Sequence, residues 1–179
     1  MSLDTYYVLA NQYDREQDAL ADYEAVRKLY SDLGIIDTYD AAVLTRKPSG
    51  KVEIVKRVEE PTRHGGAIGL VVGLAVGVAA ALFPALGVGL GAGILGGGAI
   101  GAAVGAVTGH VARGMKRSDL KELGETLDAG ASALVVVAAA DVEKKVSAAI
   151  TRSRKRAKAE LKADADALKR EIDAVGATR

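Results

Sequence analysis

The stretch RHGGAIGLVVGLAVGVAAALFPALGVGLGAGILGGGAIGAAVGAVTGHVAR, Arg63 to Arg113, decides how the rest of the chain is read. Between its terminal arginines lie 49 uncharged residues, His64 to Ala112. Fifteen of the 45 residues from Gly65 to Gly109 are Gly, and most others are Ala, Val, Leu or Ile. Two ladders stand out at a spacing of four. One is Gly65, Gly69, Gly73 and Gly77; the other is Gly89, Gly93, Gly97, Gly101, Gly105 and Gly109. That spacing keeps each ladder on one face of a helix. A glycine in a water-exposed helix costs about 1 kcal/mol relative to Ala. Fifteen such costs, on the order of 10 kcal/mol, point to helices removed from water, where glycine allows close approach.

Gly65 to Leu82 is 18 residues, about 27 Å of helix at 1.5 Å per residue, against a bilayer core of about 30 Å. Phe83-Pro84 breaks the run, and Ala85 to Ala112 is long enough to return. The reading is a glycine-zipper helical hairpin with its turn at Phe83 and Pro84, embedded in lipid as transmembrane helices. Arg57, Arg63, Arg113, Lys116 and Arg117 flank it, which by the positive-inside rule places both ends, and both termini, on the cytoplasmic side of the inner membrane. The alternative is a hairpin buried in protein, within a soluble cytoplasmic homo-oligomer. A phosphate-binding loop is excluded: Gly87-Val88-Gly89-Leu90-Gly91 is followed by no Lys-Ser/Thr pair.

The flanks are charged and globular in pattern. Thr5 to Ala10 reads as a strand, Ala19, Leu20, Tyr23, Val26, Leu29, Tyr30 and Leu33 as a helical stripe capped by Asp14 and stopped by Gly34. Asp40 to Thr45 and Lys51 to Val58 read as a hairpin around Lys47-Pro48-Ser49-Gly50. Leu120, Leu123 and Leu127 mark a short helix opened by Ser118 or Asp119, and Ala133 to Ala138 a central strand. From Asp141 a long helix is expected to about Val175, with Ile150, Ala157, Leu161, Leu168, Ile172 and Val175 as a thin apolar stripe. The fold class is therefore α+β, a ferredoxin-like βαββαβ sandwich interrupted by the hairpin and followed by a long C-terminal helix. Residues 1–62 and 114–140 supply the two halves of the domain, 63–113 the hairpin and 141–179 the basic helix.

This order of segments, with Asp40-Ala41-Ala42-Val43-Leu44-Thr45-Arg46 and Gly50-Lys51-Val52, resembles a family of bacterial membrane-associated proteins of unknown function. The second half, Leu120-Lys121-Glu122-Leu123-Gly124-Glu125 and Gly130-Ala131-Ser132-Ala133-Leu134, is similar as well. The resemblance spans Tyr6 to Val146 and implies an α/β domain split by a glycine-rich apolar segment. It carries no catalytic residues, and the basic tail after Thr151 departs from it.

Composition narrows the chemistry. The 179 residues hold 24 Lys+Arg, 23 Asp+Glu, two His and no Cys. Disulfides, thiolate metal sites and cysteine nucleophiles are excluded, and the first 15 residues carry no export signal. The charge is segregated: Met1 to Glu60 has 12 acidic and 8 basic residues, Thr151 to Arg170 has 8 basic and 3 acidic. His64 and His110 bracket the apolar run, too few ligands for a zinc site. Asp14, Glu16, Asp18 and Asp22 read as helix-start electrostatics. Arg152, Arg154, Lys155, Arg156 and Lys158 form a basic cluster read as a contact for lipid headgroups or a partner. No catalytic, cofactor-binding or metal-binding residue is assigned, and no small-molecule substrate or nucleic-acid partner is expected. The functional expectation is a structural, self-assembling, non-enzymatic protein.

Overall fold

The structure is a computed structural model, and it describes residues 4–34, 39–49, 52–57, 75, 78–79, 109, 111, 113–128, 131–163, 167 and 170. These residues form an α+β architecture around one five-stranded antiparallel sheet. In chain order the elements are β1 (Asp4–Tyr13), α1 (Glu16–Leu33), β2 (Tyr39–Arg46), β3 (Val52–Arg57), α2 (Arg117–Asp128), β4 (Ser132–Ala139), α3 (Glu143–Ala149) and β5 (Lys155–Ala163). The sheet runs β3-β2-β4-β1-β5. Two parallel pairs are thus interleaved: β4 lies between β1 and β2, which α1 connects, and β1 lies between β4 and β5, which α3 connects.

Both faces of the sheet are covered, so its middle strands are apolar without alternation, as central strands are. Toward one face point Val8, Ala10, Ala42, Leu44, Val135 and Val137; toward the other point Leu9, Tyr13, Ala41, Val43, Leu134 and Val136. On the second face α1 lies over β2 and β4, bringing Ala19, Tyr23, Val26 and Tyr30, while α3 adds Val146. Tyr30 and Tyr39 stack there nearly parallel, at 3.9 Å between ring centroids and 11° between planes. On the first face α2 rests on β1 and β5 through Leu123.

Gly34 ends α1 with φ +67°, its N–H reaching Ser31 and Tyr30 carbonyls, the left-handed cap that glycine adopts without steric cost. Asp14 is not the cap of α1: Arg15 occupies that position and no side chain caps the helix. Val55 sits where the β2–β3 register shifts between Val43 and Leu44, a bulge that breaks the flat edge of β3.

Two expectations are corrected. From Asp141 to Ala163 the expected long helix is instead the seven-residue α3 followed by strand β5; Leu168, Ile172 and Val175 lie outside the described residues. Ala157, Ala159 and Leu161 face the core at a period of two, and Arg156, Lys158, Glu160 and Lys162 alternate with them. The free edge of β1 selects the extended form over the helix that Ala, Lys and Glu favour on their own. The four-strand assignment changes with it, since β3 stands at the edge and β5 completes the second interleaved pair.

The second correction concerns the transmembrane helix. Among the described residues no helix is long and apolar enough to cross a membrane. Ala75, Val78, Ala79 and Val111, the described residues of the uncharged stretch with the least exposure, are buried in the core of the first face. For these four residues the sheet itself supplies a water-free environment. Phe83, Pro84, His64, His110 and every ladder glycine except Gly109 lie outside the described residues.

Candidate functional site

On the first face the sheet holds the described residues of the uncharged stretch by packing and by a polar tie from Asp40. Asp40 alternates with Tyr39 and Ala41, so its side chain enters the first face, where it is almost wholly buried. One carboxylate oxygen accepts the Ala41 N–H at 2.9 Å and the other the Ala75 N–H at 2.9 Å. A buried carboxylate needs such partners, and the second bond fixes Ala75 over β2. Val78 and Val111 each contribute roughly 2 kcal/mol by leaving water.

The C-terminal side of the stretch meets β5. A Cβ on Gly114 would lie 2.1 Å from the Lys162 carbonyl oxygen and 2.9 Å from Leu161 Cδ1. Only a residue without a side chain permits this approach of helix to strand. Gly109, the last rung of the second ladder, is different: among the described residues a Cβ there meets only the Arg113 guanidinium, at 3.9 Å. Among the described residues, close packing is required at Gly114, which stands outside both ladders.

On the second face a single carboxylate gathers three elements. Asp22 of α1 is fully buried. It accepts the Tyr13 hydroxyl at 3.0 Å, the Thr151 N–H at 3.1 Å, the Arg152 N–H at 2.8 Å and the Arg152 Nη1 at 3.0 Å. The bonds tie α1 to β1 and to the loop leading into β5. Burial, and then the adjacent Asp22 carboxylate, push the Tyr13 phenol well above its ordinary range. Burial also raises Tyr30, helped by Tyr39 and Asp141, and its hydroxyl has no hydrogen-bond partner.

Both phenols are therefore harder to ionise folded than unfolded. Their contribution to stability is complete below the unfolded value of about 10 and is lost as pH rises above it. Alkaline titration followed by tyrosinate absorbance and circular dichroism should show these two tyrosines ionising only as the fold is lost. Ionisation of all the tyrosines with the fold intact would contradict their burial.

The structure spreads the predicted basic cluster over the loop before β5 and the strand itself. Arg152 pairs with Asp22, and Arg154 with Asp14 at 3.0 Å. Arg156 donates to the Ser153 hydroxyl and to the Ser147 and Ile150 carbonyls, closing the C-terminal end of α3. Lys158 reaches Glu143 at 3.3 Å and lies 5.2 Å from the Tyr7 ring centroid. Lys155 is exposed at the start of β5. Four of the five cations thus have partners inside the chain, and two of those partners, Asp22 and Asp14, are acids of the first segment. Glu16 is engaged too, accepting the Thr45 hydroxyl, which in turn meets Ser132.

Among the described residues no group of three or more His, Asp or Glu could hold a metal ion. No protein-family profile, curated protein or solved structure matches the chain. The family resemblance rests on the quoted residues alone.

The sequence reading missed Gly114, Asp40 and the structural role of Asp22. A glycine five residues beyond Gly109 breaks the ladder spacing, and an acid inside an otherwise apolar strand is the one visible signal for Asp40.

Proposed function

We propose that this protein is a structural, self-associating scaffold rather than an enzyme. Its sheet is read as a ferredoxin-like core with β3 as an added edge strand and α2 as an added cover. Copies associate through their glycine-rich segments, which bury one another as a glycine zipper.

The observation that carries this reading is the burial of Ala75, Val78, Ala79 and Val111 in the same core as the sheet. The stretch belongs to the domain, and two glycine ladders remain in the sequence as surfaces suited to close helix approach. The interleaving of β1–α1–β2 with β4–α3–β5 supports the ferredoxin-like assignment. The internal bonding of Asp22, Asp14, Glu16 and Glu143 supports a structural rather than a chemical use of the acids.

Purification without detergent, followed by light scattering and phospholipid assay, tests the proposal. The expected result is a discrete particle of several 18.4 kDa chains without bound lipid. Combining Gly97→Leu with Gly101→Leu should yield smaller particles. A monomer at micromolar concentration, or a protein recovered only with lipid, would refute the proposal.

A further inference from the structure

We infer that β5 and its leading loop form a releasable strap, latched by Asp22, that holds the segment around Val111, Gly114 and Met115 against the sheet. Three independent features meet in it. β5 is an edge strand, paired with β1 from Asp4↔Ala163 to Gln12↔Lys155 without a shift. Its core-facing residues are Ala157, Ala159 and Leu161, two of them small, whereas β4 is buried at every residue from Ser132 to Ala138. A strand with so little burial belongs to the low-stability end of a structure, where local opening begins.

The latch offsets that weakness. Thr151 and Arg152 give their N–H groups to Asp22, and Arg154 gives its N–H to the Gln12 carbonyl. The loop is thereby pinned on the second face. On the first face, the Lys162 carbonyl and the Leu161 side chain form the floor beneath Gly114. Val111 and Met115 share one core with Ala157, Ala159 and Leu161. Freeing the loop on one side of the sheet therefore loosens the segment around Val111, Gly114 and Met115 on the other. Release also uncovers the unpaired edge of β1, which a second copy can use. That last consequence rests on the self-association reading; the strap does not.

Hydrogen exchange with mass spectrometry on the full chain, comparing native protein with Asp22→Asn, tests the coupling. Peptides covering Thr151 to Ala163 and Val111 to Met115 should exchange about tenfold faster or more, and together, with β4 unchanged. Arg152→Ala removes the guanidinium bond and leaves the backbone bonds, so it should show the same pattern with a smaller increase. Three outcomes would overturn the strap: acceleration of β5 without the Val111 peptide, acceleration of neither, or equal acceleration of β4. A monomeric particle with the coupled pattern intact would dismiss self-association and leave the strap standing.

Discussion

Replacing Gly114 by Ala should destabilise the fold by about 3 kcal/mol or more, at the top of the range for overpacked interiors. The added carbon would sit 2.1 Å from a backbone oxygen of β5, and a backbone atom cannot rotate away as a flexible side chain can. Helix and strand must separate, which weakens the packing of Met115 and Leu161 as well. Gly109→Ala is the matched control. Among the described residues a Cβ there meets only the flexible Arg113 side chain at 3.9 Å, and Ala gains up to about 1 kcal/mol of helix propensity over Gly, so it should be neutral or stabilising. Denaturant midpoints measure both. Equal effects at the two positions would mean that the approach of Gly114 to β5 is not present in solution.

Asp22→Ala should cost about 3 kcal/mol, near the lower bound for breaking a buried pair because Arg152 is half exposed. The loss falls on four donors at once, and two of them are backbone amides of the β5 loop. Tyr13→Phe removes one of the four bonds and should cost about 1 kcal/mol. The two substitutions share a contact, so their combined effect should fall short of the sum. Strict additivity would show that Tyr13 and Asp22 do not interact.

How far these features could be read beforehand depends on their range along the chain. α1, β2, β3 and β4 carried their own periodicity. Tyr23, Val26 and Tyr30 repeat at helical spacing, and Ser132–Ala139 is the apolar run expected of a central strand. β5 carried two competing patterns. Ile150, Ala157 and Leu161 suit one side of a helix, while Ala157, Ala159 and Leu161 suit a strand. Local propensity favours the helix, and only the waiting edge of β1 decides for the strand.

Asp22 was visible merely as an acid near the start of α1. Its partners in the β5 loop lie 129 and 130 residues away, so no local pattern could reveal them. Composition left two water-free surroundings for the uncharged stretch, lipid or protein, and segment length favoured lipid. For Ala75, Val78, Ala79 and Val111 the surroundings are the chain's own sheet.

The most direct test of the account is therefore the accessibility of that stretch. The chain has no cysteine, so Ala79→Cys and Val111→Cys each introduce a single thiol at a buried position. Labelling with a water-soluble maleimide in detergent-free buffer should be negligible for both. It should appear on urea titration together with loss of the sheet signal. Labelling of either thiol in the native protein at the rate of the exposed control Ser118→Cys would contradict the packing of the uncharged stretch against the sheet.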